Sequence, residues 1–304
     1  VELLNVFNRV MLHKSKCEVV LVTGFSGAGK TTFVEQTIYQ PIIGRGGHFM
    51  HVKFDQNCQV EPLAAIIGAF EDFCDSFKSK NDDKLSDLIV ALQKMMGIKG
   101  LTVLAELIPS FGKIINRKVK LDLVKIGNAM TQNQFIPVLQ VFVKIISGKE
   151  SPMVLFLDDL QWADSASLDL VESLIVDSDD SSLLVIESHR ENEEVSRNHP
   201  LSTHLKKLHA VTTPTAIHIP NLQRKDVNEL LSVTINAPQP VTESLSNIVY
   251  CKTSGNVLLV IQFVMSLWEE GLLWFSISKK TWLWDTSAIE SKGVLENAVG
   301  LMAQ

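Results

Sequence analysis

Three features of the sequence predict an α/β protein with a three-layer parallel-sheet core. A short β-branched run, Glu18-Val-Val-Leu-Val-Thr23, ends in a glycine-rich turn and leads into a helical stretch from Lys30. Two further apolar runs, ending at Asp158 and Glu187, have the continuous hydrophobicity of strands buried on both faces. Helical segments alternate with these strands, which is the pattern of a layered fold with a parallel sheet.

Taken in order, Leu3, Leu4, Phe7 and Val10 at helical spacing predict a short amphipathic helix over 1–10. The helix that begins near Lys30 is expected to stop before Pro41, because proline has no N–H to continue the ladder. Gly44 to Gly47 make a turn, and His48 to Phe54 read as a second strand. From Pro62 to about Ser147 apolar residues recur at spacings of three and four, a helical insertion at about 62–147. Residues 151–159 give the third strand and 183–187 the fourth, with a helix between them that Ser165 is expected to cap. After Arg190 the strand signals stop, and helices are expected over 226–231 and 256–268. The polar stretch 191–200 marks a domain boundary. Finally, residues 272–277 and 281–284 flank Ser278-Lys-Lys280 as a β-hairpin.

Composition narrows the function classes. The 304 residues carry 28 Lys+Arg against 34 Asp+Glu, a net charge of -6, and 46% are hydrophobic, which excludes a disordered or collagen-like chain. The acidic balance argues against nucleic acid as a partner, because phosphate is repelled unless a local basic patch gathers. Cys17, Cys58, Cys74 and Cys251 form no C-x-x-C pair, so neither zinc nor a disulfide framework is signalled. The longest apolar stretch, residues 257–268 with Gln262 and Ser266 inside it, is too short to cross a bilayer, and no leader pattern opens the chain. A cytoplasmic protein without a membrane segment is expected. Because it opens on Val1, it reads as cut from something longer.

Gly24-Phe-Ser-Gly-Ala-Gly-Lys-Thr31 matches G-x-x-x-x-G-K-[ST] at every fixed position, after a strand and before a helix, as a phosphate-binding loop requires. Glycines let such a loop turn sharply and bring successive N–H groups against phosphate oxygens. The helix from Lys30 adds its positive end. Gly24, Phe25, Ser26, Gly27, Ala28, Gly29, Lys30, Thr31 and Thr32 are therefore the candidate phosphate-binding residues. Lys30 is placed to reach the β- and γ-phosphates, and the Thr31 hydroxyl to ligate Mg2+. Asp158, at the end of an apolar strand, is the second metal anchor that a triphosphate site needs. Asp159 either polarises a water for attack on the γ-phosphate or simply caps the strand end. Arg190 either senses the γ-phosphate or pairs at the surface with Glu191 or Glu194.

These residues, with Gly46-Gly-His-Phe-Met-His-Val-Lys-Phe-Asp-Gln56 and Phe156-Leu-Asp-Asp-Leu-Gln-Trp-Ala-Asp164, resemble the AAA+-like P-loop NTPase module of the STAND class, signal-transduction ATPases with numerous domains. More narrowly, they resemble the origin-recognition-like AAA module ahead of GAF and histidine-kinase domains in multisensor signalling proteins. The resemblance covers nearly the whole chain. It implies a P-loop ATPase core over 1–190, a small helical lid domain over 191–268 and the start of a winged-helix region over 269–304. It also implies ATP and Mg2+ as ligands and a downstream kinase or sensor domain as partner. Two functions are compatible with it: an ATP-binding, slowly hydrolysing signalling switch, or a non-hydrolysing nucleotide-dependent scaffold. DNA binding follows from fold analogy alone. Relatives carry Gly-Asn-Pro near the base where this chain has Gly255-Asn256-Val257, and small residues where Glu187-Ser-His-Arg190 sets an acid close to the anion site.

Other residues read as packing. His48 and His51, three apart on a strand, face opposite sides and are not expected to share a metal. Trp282 and Trp284 share a strand face and are expected to pack the hairpin. Asp177-Ser-Asp-Asp180 reads as a solvated turn.

Overall fold

The computed structural model describes residues 1–13, 17–56, 61–76, 82–118, 132–147, 151–177, 182–191 and 199–293. Cys58, Glu194, most of the acidic turn at 177–180 and the end of the expected winged region, 294–304, lie outside them. The described residues form two compact units, one of residues 1–22, 31–189 and 199–217, the other of 23–30, 190–191 and 218–293.

The first unit opens with α1 (Glu2–His13), which buries Leu3, Phe7 and Val10, and continues through β1 (Glu18–Gly24), α2 (Lys30–Gly44) and β2 (His48–Lys53). The insertion follows as α3 (Ala64–Ser76), α4 (Asp82–Leu107), α5 (Pro109–Lys118) and α6 (Gln132–Ile146). Then come β3 (Met153–Asp158), α7 (Ser165–Val176), β4 (Leu183–Arg190), α8 (Pro200–Val211) and β5 (Thr215–Ile219). The strands form a five-stranded sheet in the order β2-β3-β4-β1-β5. β2 pairs with β3, and β3 with β4, in parallel, with Lys53 opposite Asp158 and Leu157 opposite Glu187. All of β3 is buried, as its unbroken apolar run requires. In the insertion, Phe142 of α6 meets Phe70 of α3 and Phe111 of α5 edge-on, at centroid separations of 5.5 and 5.6 Å. These rings belong to the same core as the sheet residues Leu155 and Val185.

Several expectations are corrected. β5 was not foreseen: it lies at a sheet edge, and only Ile217 of its five residues is buried, so it lacks the apolar run that marks an interior strand. α2 runs on through Pro41 to Gly44, so the proline's missing N–H costs one ladder bond near the helix's end without stopping it. Asp164 rather than Ser165 caps α7, its side chain accepting from the N–H of Ser167 at 2.9 Å. A stretch long and apolar enough to cross a membrane by length and composition does exist, Ser86–Leu107 with mean hydropathy 1.5. Lys94 and Lys99 break up its apolar sequence. In the fold α4 is interrupted at Gly97 and buries Leu92, Leu101 and Leu104 in the main core.

The second unit contains α9 (Arg224–Thr234), α10 (Gln239–Thr253) and α11 (Val257–Glu269) around Val227, Leu245, Val249, Val260 and Phe263. Of these, α10 was not foreseen, nor was α8 in the first unit. An antiparallel hairpin follows, β6 (Leu273–Ser276) and β7 (Thr281–Trp284), at the place the sequence predicts. Trp282 and Trp284 pack half-buried against this core, which is the packing role expected of them. A short helix, α12 (Thr286–Ser291), is capped by Asp285.

Candidate functional site

Residues 24–30 lie in the second unit and are fixed mainly through their carbonyls. Lys30 folds back so that Nζ donates to the carbonyls of Gly24 and Phe25, both at 3.1 Å. The Asn256 amide donates to the Ser26 carbonyl at 2.7 Å, and the Leu258 N–H donates to the Gly27 carbonyl at 3.2 Å. Asn256 also caps α11 through the Leu259 N–H, so one side chain ties the loop to the start of a helix. Among the described residues, the N–H groups of Ser26, Gly27 and Gly29 pair with no backbone carbonyl. Gly27 has φ of +73° and a Cβ there would meet Asn256 Oδ1 at 2.8 Å, so only glycine fits. Phe25 and Thr32 are exposed. The sequence places Asn256 in the Gly255-Asn256-Val257 motif, but its tie to the Ser26 carbonyl is visible only in the structure.

Thr31, Asp158 and Ser188 come together in the first unit. The Thr31 hydroxyl, in the first turn of α2, donates to Asp158 Oδ2 at 2.6 Å, and the Ser188 hydroxyl donates to Oδ1. Asp158 is 1% exposed. Burial pushes its carboxyl up, but neighbouring His51 and the hydroxyls of Ser188 and Thr31 outweigh this and hold it below the usual carboxylate range. The group is therefore a buried anion.

His51 is the unforeseen member of this cluster. Its Nε2 lies 3.7 Å from Asp158 Oδ2 and its Nδ1 lies 3.2 Å from Glu35 Oε1, while the ring stacks on Phe156 at 4.7 Å. The register explains it: His51 is opposite Phe156, and Asp158, two residues further along β3, shares that face. Knowing that β2 and β3 are neighbours would have been the signal. Ser188 follows in the same way, next after Glu187, which is opposite Leu157.

Asp159 adopts a left-handed conformation, φ 58° and ψ 47°, a strained state that non-glycine residues keep only when their surroundings enforce it. Its N–H donates to Ser188 Oγ at 3.2 Å, and its Oδ1 accepts from Gln161 at 2.8 Å. Arg190 ends β4 and belongs to the second unit, while neighbouring Glu191 lies 3.4 Å from His218. Glu187 is not an acid at the anion site, as had been expected. It is fully buried and its Oε1 lies 3.0 Å from His204 Nε2, because alternation along β4 turns it away from the face that carries Ser188.

The model of the AAA ATPase domain matches residues 1–186, more than half of the chain. Hybrid signal transduction histidine kinase G of Dictyostelium discoideum is 26% identical over 350 aligned positions, covering 94% of this chain and 10% of its own. The chain thus spans about a tenth of the length of that curated relative. Among solved structures, the Aeropyrum pernix ORC2 protein in its ADPNP-ADP complexes is similar in fold, with a TM-score of 0.52 at 12% identity over 94% of this chain and 64% of its own. Cdc6p from Pyrobaculum aerophilum aligns with a TM-score of 0.48 and 14% identity over 84% of this chain and 57% of its own. Because the AAA ATPase domain model matches more than half of it, this chain belongs to the AAA ATPase domain family.

Proposed function

We propose that the chain is an ATP-binding switch module of a larger cytoplasmic signalling protein, holding ATP with Mg2+ and hydrolysing it slowly. The observation that carries this reading is the Thr31–Asp158 pair, two hard oxygen ligands in direct contact, one of them the residue next to Lys30. Such a donor set suits Mg2+, which prefers oxygen ligands and keeps part of its water shell. When bound, the metal neutralises charge on the β- and γ-phosphates.

In this reading the N–H groups of Ser26, Gly27 and Gly29 cradle phosphate, and Lys30 exchanges its contacts with the Gly24 and Phe25 carbonyls for phosphate oxygens. Thr31 and Asp158 hold the metal. Asp159, oriented by Gln161, aligns a water for attack, and Arg190 senses the γ-phosphate. Residues 191–268 act as a lid and 269–304 open a winged region. The histidine-kinase relative supports a signalling context, with a kinase or sensor domain as partner.

One observation favours a second reading, a non-hydrolysing scaffold: the short Asp159 carboxylate is already engaged by Gln161. Phosphate release from γ-labelled ATP separates the two. The switch turns over, and Asp159→Asn binds ATP but stops turnover, whereas a scaffold retains intact ATP in both proteins. Lys30→Ala is expected to abolish binding, and undiminished binding by that variant would refute the assignment of the loop.

A further inference from the structure

We infer that the break in α4 is a docking surface for an anionic lipid membrane, with Lys94 and Lys99 against the headgroups and Met95 and Ile98 entering the layer beneath them. α4 has two opposed sides. Leu92, Leu101 and Leu104 are fixed in the main core, whereas Val90, Met95 and Ile98 are 65%, 59% and 57% exposed. The stretch Ser86–Leu107 is apolar enough to cross a membrane, yet only 33% of it is buried by the rest of the fold. A cluster of large apolar side chains left in water marks a surface that a partner covers. Spanning a bilayer would strip Leu92, Leu101 and Leu104 from the core, while lying on one uses only the free side.

Charge decides what the partner is. From Ser86 to Lys118 there are five Lys and Arg against two acids, Asp87 and Glu106, while the whole chain has 28 against 34. The apolar patch therefore belongs to a basic island on an acidic protein. Lys94 and Lys99 stand exposed on either side of Met95 and Ile98, and neither forms an ion pair with a described residue. An anionic bilayer answers both properties at once: its acyl region accepts the apolar side chains and its surface potential attracts each lysine. The break itself is built into the chain. Gly97 has φ of 65° and ψ of -177°, a conformation open to glycine and strained for other residues. Gly100 closes the turn, since a Cβ there would meet that of Met96 at 2.6 Å. The hairpin turn of the second unit is the contrasting case. Ile277 is 85% exposed there beside Lys279 and Lys280, but residues 269–292 carry three lysines against four acids, so no basic island surrounds it.

The test is flotation of the 304-residue chain with vesicles of phosphatidylserine and phosphatidylcholine in equal parts, and with phosphatidylcholine alone, at low and high NaCl. Wild type is expected to float with the anionic vesicles and to be released by salt. Lys94→Gln with Lys99→Gln should lower its partitioning by roughly 10- to 30-fold, the loss expected for two lysines at an anionic surface. Met95→Ser with Ile98→Ser should lower it by at least about tenfold. A hairpin variant, Ile277→Ser with Lys279→Gln and Lys280→Gln, should float as wild type does. Folded wild type that stays off the anionic vesicles, or that floats equally well with either α4 pair replaced, overturns the inference. So does self-association of a vesicle-free wild type that Met95→Ser with Ile98→Ser abolishes, which gives the face to a second copy. Should the α4 variants fail to fold, hydrogen exchange of wild type with vesicles decides: protection over residues 90–99 supports the inference, and protection confined elsewhere overturns it. None of these readouts needs nucleotide, so the outcome is independent of the function proposed above.

Discussion

His51 and His204 each stand beside buried carboxylates in the same unit, and they are opposite in kind. His204 is 1% exposed, with Nε2 3.0 Å from Glu187 and Nδ1 3.1 Å from Glu172, so both ring nitrogens are engaged. His51 is 25% exposed, with Nδ1 3.2 Å from Glu35 and Nε2 3.7 Å from Asp158. The first cluster is closed: its charges answer one another, and it ties α8 to β4 and α7. The second is looser: Asp158 accepts from the hydroxyls of Thr31 and Ser188, and His51 stands beyond direct hydrogen-bond distance. On the function proposed above, similar side chains serve stability in one place and ligand binding in the other.

If that contrast is right, substitutions should separate the two clusters. His204→Ala leaves the fully buried Glu187 without its partner, while Glu172 keeps Lys207 at 2.9 Å, and is expected to cost about 3–5 kcal/mol in urea unfolding, with little change in nucleotide affinity of the protein that remains folded. Loss of nucleotide binding without loss of stability would reverse the assignment. Asp158→Asn should do the opposite: Mg2+-dependent nucleotide binding weakens at least about tenfold, while unfolding changes by about 1 kcal/mol.

The pH response gives a smaller but independent signal. Burial pushes the His204 imidazole down, but the hydrogen bonds and charges of Glu187 and Glu172 outweigh this and raise it above the ordinary histidine value. A group that binds its proton more tightly when folded contributes its full stability below about pH 6.5, and this is lost as pH rises through the folded-state value. Denaturation midpoints should therefore fall on going from neutral into mildly alkaline solution, and His204→Gln should remove that slope. A wild-type midpoint that is flat or rising over this range would contradict an imidazolium between two carboxylates. The smallest effect is expected at Asn256→Ala, which frees the Ser26 carbonyl and uncaps α11 for about 1 kcal/mol, with weaker nucleotide binding read by the same titration.

What was legible in the sequence follows from what each element packs against. β1, β3 and β4 lie inside the sheet and carry unbroken apolar runs, so they could be read directly, together with the glycine loop and the acid that ends β3. β5 is an edge strand, and its alternation of exposed and buried residues over so short a span gives no run to find. In α9, Arg224 to Thr234 is longer than the predicted 226–231 because a reciprocal cap, Gln223 with Asp226, starts it earlier than the apolar spacing alone suggests. Asp158 was legible because chain order alone places it after an apolar strand. His51, Ser188 and Asn256 were not, since each acquires its role from a neighbour brought close by strand order or by a helix cap far along the chain.

Titration of the folded chain with ATP in the presence of Mg2+ and again in EDTA tests whether the loop and Asp158 act on one ligand. Saturable heat is expected with the metal, weaker binding without it, and loss of the difference between the two in Asp158→Asn. Wild-type protein that is demonstrably folded yet gives no heat with the magnesium-complexed nucleotide, or gives the same heat in EDTA, would contradict it.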